Sequence, residues 1–594
     1  MGSGTHAFAV TSALSRLDRP LADTLTGLQR DQAARRLWQH DPSLWTDDPA
    51  HVRVVTSRLG WLHVPDISAA ALPGLGTLVG QLTSEGFRHA LLLGMGGSSL
   101  CPEVLRSVFG VAPGHLDVQV LDNTSPESVR AAEAACDPSR TIFVVSSKSG
   151  TTVESASFQE YFLRRVGELG VSDPASRFLV ITDPGTSLAR QATERGFRGA
   201  FLNPPDIGGR YSALSLFGVV PAALLGLDLT AFLAHARAMA AACGPDVPAA
   251  ENPGLYLGAA LGMAARHGFD KLTFLPSPSL APLGSWLEQL VAESTGKSGR
   301  GVVPVDGEPR AAASAYGPDR VFAAFSLEGE HRENEAFAAE LAALGHPVLT
   351  WRLPEREALA AEFFRWEVAT AVLGALLEVD PFDEPNVTES KDTTRVLLAE
   401  GAAGEGLVTL LATPSMVLQA GPKYSPRLGA AVRATGRDAG SPAAWLAAHL
   451  ESVHESDYLA LCAYIHRTGG REARLQGIRS RLGAAHAVTL GYGPRFLHST
   501  GQLHKGGPDT GVFLQFTAED GAELAIPGSA FGFRALRDAQ ALGDLLVLDR
   551  RGRRALRVHL PQGPDAGLEA VTAELSRALE LAGPLRPAVR RTLP

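Results

Sequence analysis

A β-branched run, Thr141-Ile142-Phe143-Val144-Val145, passes directly into Ser146-Ser147-Lys148-Ser149-Gly150-Thr151-Thr152, and a helical pattern follows. A strand that hands over to a helix through hydroxyls, a glycine and a lysine points to a wound α/β arrangement. It also marks a place for phosphate. The first backbone N–H groups of a helix lack partners, the dipole is positive there, and the hydroxyls donate. A second unit of this kind lies upstream, where Ala90-Leu91-Leu92-Leu93 runs into Gly94-Met95-Gly96-Gly97-Ser98-Ser99. Two such loops in one sheet point to a small phosphorylated molecule.

The alternation continues along the chain. Strands are expected at 89–94, 117–121, 141–146, 178–182 and 199–202, with helices between them, including 152–168 and 187–195. This predicts a parallel, doubly wound sheet. A largely helical stretch, 213–268, leads to a second series: a strand at 272–275, a helix at 283–294, strands near 321–326 and 347–352, and a long helix at 357–378. A third series has strands near 457–463, 486–490, 511–517, 544–548 and 555–559, and helices near 470–482 and 565–581. The expected organisation is a helical N-terminal arm (1–60), two tandem sheet domains (61–230 and 231–402) and a C-terminal α/β domain (403–594). The last boundary is placed at Ala402-Ala403-Gly404-Glu405-Gly406.

Composition narrows the function. A length of 594 residues suits several domains, and 45% hydrophobic with 20% charged residues is ordinary for a folded chain. The net charge of −9 gives no reason to expect nucleic acid or anionic lipid as a partner. No run of eighteen apolar residues suggests a membrane span, and the Met1–His6 start lacks the layout of a signal peptide. A cytoplasmic location is expected. The four cysteines (Cys101, Cys136, Cys243, Cys462) form no C-x-x-C pair and read as free thiols. Only six of the 54 basic residues are lysines, and Lys148, Lys297, Lys391 and Lys505 all lie in Gly/Ser/Thr-rich loops. A compact, rotatable ammonium suits a phosphate or a hydroxyl.

Further candidates sit in separate segments. Gln289 and Glu293 are four apart, on one face near the end of a helix that Gly296 stops. A carboxylate near the negative end of a helix dipole should hold its proton more tightly, which suits a general base. Arg210 lies in Pro204-Pro205-Asp206-Ile207-Gly208-Gly209-Arg210-Tyr211-Ser212, a stiff loop in which an arginine can hold a developing oxyanion. Lys391 follows Pro381-Phe382-Asp383-Glu384, and His504 closes His498-Ser499-Thr500-Gly501-Gln502-Leu503-His504. Each residue alone also fits a plain structural role: an exposed helix glutamate, a salt bridge to Asp206, a surface lysine, a surface histidine. No Walker lysine motif, nucleophile elbow, complete dinucleotide fingerprint or metal cluster is evident.

Together, and in this order, these segments resemble the phosphoglucose isomerase family, built on two sugar-isomerase (SIS) domains. The chain is similar to the isomerase portion of bacterial transaldolase/glucose-6-phosphate isomerase fusions, without the transaldolase barrel. The resemblance implies an α/β fold of two tandem doubly wound parallel-sheet SIS domains plus a C-terminal α/β segment. It implies aldose–ketose isomerisation of glucose 6-phosphate to fructose 6-phosphate through a cis-enediol, with no cofactor and no metal. Gly97 and Ser98 then belong to the glycine loop. Ser147, Lys148, Ser149 and Thr152 form the phosphate loop, and Gln289 contacts substrate. Glu293 is the base, Arg210 steadies the enediolate, and Lys391 touches the ring oxygen. His504 is taken as the ring-opening group, although the histidine segment follows Lys391 here and precedes the lysine segment in the usual enzyme. In the family that histidine comes from a neighbouring subunit, so a homodimer is implied, and a separate transaldolase partner is left open. Rival readings are a dual-specificity glucose/mannose-6-phosphate isomerase, a non-catalytic SIS module that binds a sugar phosphate, and an aminosugar enzyme. The last would need an ammonia source that the short N-terminal arm does not supply.

Overall fold

The structure is a computed structural model and describes residues 8–400, 406–586 and 588–590. The Met1–His6 start and the 402–405 part of the expected boundary lie outside the described residues.

Among the described residues, sixteen strands form three sheets. A short strand, β1 (Thr11–Ala13), precedes the first wound series: β2 (His89–Gly94), β3 (Asp117–Leu121), β4 (Thr141–Ser146), β5 (Phe178–Thr182) and β6 (Gly199–Leu202). This first sheet has the order β3-β2-β4-β5-β6 and is parallel throughout. Its central strand β4 is buried along its whole length, as the unbroken run of β-branched and aromatic residues requires. The second series is β7 (Lys271–Pro276), β8 (Val303–Val305), β9 (Arg320–Leu327) and β10 (Val348–Leu353). The order is β8-β7-β9-β10-β1, with β1 crossing from the N-terminal arm to lie antiparallel on β10. The third contains β11 (Val408–Ala412), β12 (Val417–Ala420), β13 (Tyr458–Tyr464), β14 (Ala487–Tyr492), β15 (Gly511–Ala518) and β16 (Arg554–Leu560). Its order is β11-β12-β16-β15-β13-β14; β13 to β16 run parallel, and β12 lies antiparallel to both β11 and β16.

The arm is helical because its apolar residues recur at helical spacing. Leu21, Leu25 and Leu28 line one buried stripe of the helix Asp18–Arg30. That stripe joins a hydrophobic core shared by the arm and the first two sheets. At its centre runs the helix Leu359–Leu376, buried on nearly all sides. It carries Glu367, whose carboxylate oxygens have no hydrogen-bond partner among the described residues. Burial pushes this carboxyl well above the ordinary range. The third sheet has its own core. Among the described residues no helix is long and apolar enough to cross a membrane. All four cysteines are free and buried.

Two expectations fail for one reason. The run Asp544–Leu548, read as a strand, is the end of the helix Phe533–Arg550, and β8 was not foreseen. A short apolar run buried on every side has no periodicity to separate strand from helix.

Candidate active site

The two phosphate-type loops leave the carboxyl ends of adjacent strands β2 and β4. In the first, Gly96–Ser98 makes a single tight turn and Gly96 takes φ +56°. A side chain at Gly96 would press on Gln289 Nε2 and the His498 carbonyl, both 2.9 Å from where its Cβ would lie. A Cβ on Gly97 would overlap the Gly209 carbonyl oxygen. Backbone cannot yield as a flexible side chain does, so Gly97→Ala should displace the loop that carries Arg210. The expected result is a loss of activity of about tenfold or more, with the secondary structure intact by circular dichroism.

In the second loop, Ser147 Oγ lies 2.9 Å from Thr152 Oγ1, and Ser149 Oγ lies 2.9 Å from Thr151 Oγ1. Thr152 sits at the N-cap of the helix Val153–Glu168, and its side chain does not cap the helix. The first N–H groups of that helix therefore remain for an anion, ringed by hydroxyls. Lys148 takes another part: its Nζ pairs with Asp183 and donates to the Pro205 carbonyl at 3.2 Å. The ammonium thus braces the loop from the side. Ser98 is buried beside these loops.

The helix Leu283–Thr295 carries Gln289 and Glu293, both buried. Gln289 Nε2 donates to Glu293 Oε2 at 3.1 Å and to the His498 carbonyl at 2.7 Å. Arg210 is buried as well. Its Nε donates to Ser294 Oγ at 2.9 Å, and its Nη2 donates to the Pro381 and Asp383 carbonyls, each at 2.7 Å. Its Nη1 lies 3.4 Å from Glu293 and 3.1 Å from Glu384. Burial disfavours this guanidinium's charge, but Glu293 and Glu384 outweigh that cost and hold it above its ordinary value. Glu293 is pushed up by burial, drawn back by Arg210 and pushed up again by Glu384, and the net result is a raised pKa. A base with a raised pKa is protonated first as pH falls, so activity should be lost on acidification at a pH above the ordinary glutamate range. Glu384→Gln removes a negative neighbour and should move that acid limb to lower pH, as kcat against pH would show.

Lys297 supports the same loop: its Nζ lies 2.7 Å from Asp383 Oδ1 and donates to the Asp383 carbonyl at 2.6 Å. His51 reaches Asp380 and Asp383 at 3.3 and 3.2 Å. This trio is a metal-type donor group among the described residues, yet Lys297 already supplies a counter-charge to it. Lys391 is exposed on the helix Pro385–Glu400, and its charge helps to lower the pKa of Glu154.

The histidine differs from expectation. His504 lies inside the third sheet unit, its ring 5.0 Å from Phe513 and 5.8 Å from Phe496 between centroids. Its Nδ1 has no partner among the described residues, and burial drives its pKa well below the ordinary range. A ring in that setting stays neutral and packs as an aromatic. His498 instead stands beside Gln289, whose Nε2 donates to its carbonyl. His498 Nε2 lies 3.0 Å from Glu154 Oε1, which also accepts from Gln540 Nε2 at 2.7 Å. A carboxylate only accepts, so Nε2 carries the hydrogen in this contact. Burial opposes the charge on Glu154, but His498 outweighs it and keeps Glu154 below its ordinary value. The sequence held the signal for this: Glu154 stands two residues beyond Thr152, on a helix that starts at the phosphate loop.

The phosphoglucose isomerase family model matches residues 75–309. A glucose-6-phosphate isomerase of Thermus thermophilus is 30% identical over 387 residues, covering 58% of this chain and 91% of that protein. One from Rubrobacter xylanophilus is 29% identical over 425 residues, covering 62% of this chain and 94% of that protein. Among solved structures, a hypothetical protein from Thermus thermophilus superposes with a TM-score of 0.57 at 27% identity, over 66% of this chain and 100% of that one. With most of the length of such relatives matched, the chain belongs to the phosphoglucose isomerase family.

Proposed function

We propose that the protein interconverts glucose 6-phosphate and fructose 6-phosphate through a cis-enediol. The observation that carries this reading is the meeting of Glu293, Arg210, Gln289 and His498 beside an uncapped helix start ringed by hydroxyls. Ser147, Ser149 and Thr152 with the helix N–H groups hold the 6-phosphate. His498, oriented by Glu154, moves a proton between the ring oxygen and the C1 hydroxyl, and Lys391 steadies the ring oxygen. Glu293 takes the proton from C2 and returns it to C1 while a proton moves between the two oxygens. Arg210 holds the negative charge that develops on the enediol oxygens. Binding at the remote phosphate aligns the reacting carbons, which lowers the barrier.

The loop hydroxyls act on binding more than on chemistry. Ser149→Ala with Thr152→Ala should raise KM for the sugar phosphate about 10–100-fold, with a smaller effect on kcat. The proton route is tested by incubating fructose 6-phosphate with the enzyme in heavy water and following the sugar by NMR. Carriage by one carboxylate predicts solvent deuterium at C1 of fructose 6-phosphate and C2 of glucose 6-phosphate. Conversion without any solvent label would favour a hydride shift and remove the role given to Glu293.

A further inference from the structure

The third sheet lies beyond the stretch matched by the family model, which ends at residue 309. Its topology nonetheless repeats that of the second sheet. Numbered from the first wound strand of each unit, both run 2-1-3-4, as β8-β7-β9-β10 and as β14-β13-β15-β16, an order the first sheet shares as β3-β2-β4-β5. In both, a strand that precedes the unit in sequence lies antiparallel on the fourth: β1 on β10, and β12 on β16. The first sheet lacks that feature, since β6 is parallel to β5.

The residues repeat as well. The third strand of each unit follows Gly-Pro-Asp, at 317–319 and at 507–509. Then come Val321-Phe322-x-x-Phe325-Ser326-x-Glu328 in one and Val512-Phe513-x-x-Phe516-Thr517-x-Glu519 in the other. The match holds in register. Val321 pairs with Leu272, and Val512 pairs with Leu459. Each of those leucines stands two residues after a buried aspartate, Asp270 and Asp457.

The two units meet through equivalent edges. Strand two of each, β8 and β14, lie against one another, and Val303 and Val305 share a core with Tyr458, Ala487 and Phe496. Contact through the same edge on both sides is what a symmetric dimer makes between two copies. Here the two units sit in one chain.

They have diverged in opposite directions. The helix after strand one carries Glu293 in its last turn in the second unit, and Arg479 and Arg481 in its last turn in the third. The connection after strand two holds His498 in the third unit, whereas residues 306–319 of the second contain no histidine. On that other side Glu308 pairs with Arg320 at 2.9 Å and accepts from Val488 N at 3.4 Å, which makes a structural contact.

We propose that residues 458–582 are a diverged copy of the second unit that stands where a partner subunit would. It delivers His498 in cis to Glu293, so that one chain holds one complete site and needs no second copy. The inference rests on the isomerase reading above. It is tested with full-length Glu293→Gln and His498→Ala chains carrying different tags, co-expressed and compared with wild type and each single variant. The expected result is that the mixture shows no more activity than the two variants alone, and that wild-type turnover per chain is unchanged on dilution to single chains. If His498 served a neighbouring copy, each mixed pair would hold one intact site, and about a quarter of wild-type activity would return in a statistical mixture. That recovery overturns the proposal and leaves the isomerase reading standing. A wild type that never turns over glucose 6-phosphate overturns the reading and the proposal with it.

Discussion

Glu293→Gln is expected to lower kcat for the interconversion of glucose 6-phosphate and fructose 6-phosphate roughly 10²–10⁴-fold, the range typical of a lost proton carrier. The substitution keeps the size of the side chain and an oxygen for Gln289 Nε2, which donates to Glu293 at 3.1 Å. Arg210 keeps Glu384 at 3.1 Å, so its charge stays paired when the Glu293 carboxylate is gone. Fold and sugar-phosphate affinity should therefore change little, and the loss should fall on kcat. Isothermal titration with a sugar phosphate, beside steady-state rates, separates the two. An equal loss of binding would mean that Glu293 holds substrate and does not move its proton.

Arg210→Ala should damage both stability and rate. Arg210 is buried, and its three nitrogens serve Ser294, the Pro381 and Asp383 carbonyls, Glu384 and Glu293. Its removal leaves a buried carboxylate without its counter-charge and the Pro381 carbonyl without its donor, while the Asp383 carbonyl keeps Lys297, a defect of about 3–5 kcal/mol. It also removes the group that would meet the enediolate, for which a loss of about 10²–10³-fold in kcat is typical. Because Arg210 draws the pKa of Glu293 down, the acid limb should move to higher pH as well. Arg210→Lys restores the charge but not the planar fork that reaches both carbonyls, so it should recover part of the stability and little of the rate. Urea midpoints and pH–rate profiles check the two halves.

Much of the fold was legible because its elements carry strong local signals. Strands β2 to β6 are apolar runs bounded by glycine, proline or hydroxyl clusters, and they fall where the alternation put them. That Gln289 and Glu293 share one face near a helix end could be read from their spacing, and the strand-to-helix loop from the residues that follow β4. The burial of His504 was not legible because motif order says nothing of depth. His498 and His504 stand six apart in one segment, and only packing shows that one meets Glu154 while the other meets Phe513. Lys148 was read as a phosphate ligand because its pairing with Asp183 joins loops after two different strands. β1 escaped notice for a related reason. Three residues carry no period, and their place is set by β10, more than three hundred residues away.

The most direct test of the account is the conversion of glucose 6-phosphate to fructose 6-phosphate by the wild-type protein in EDTA, coupled to a fructose-6-phosphate assay. Turnover is expected, abolished by Glu293→Gln and by His498→Ala and left near wild type by His504→Phe, which keeps the aromatic packing. Binding of the sugar phosphate without turnover by the wild type would contradict it and point to a sugar-phosphate-binding module.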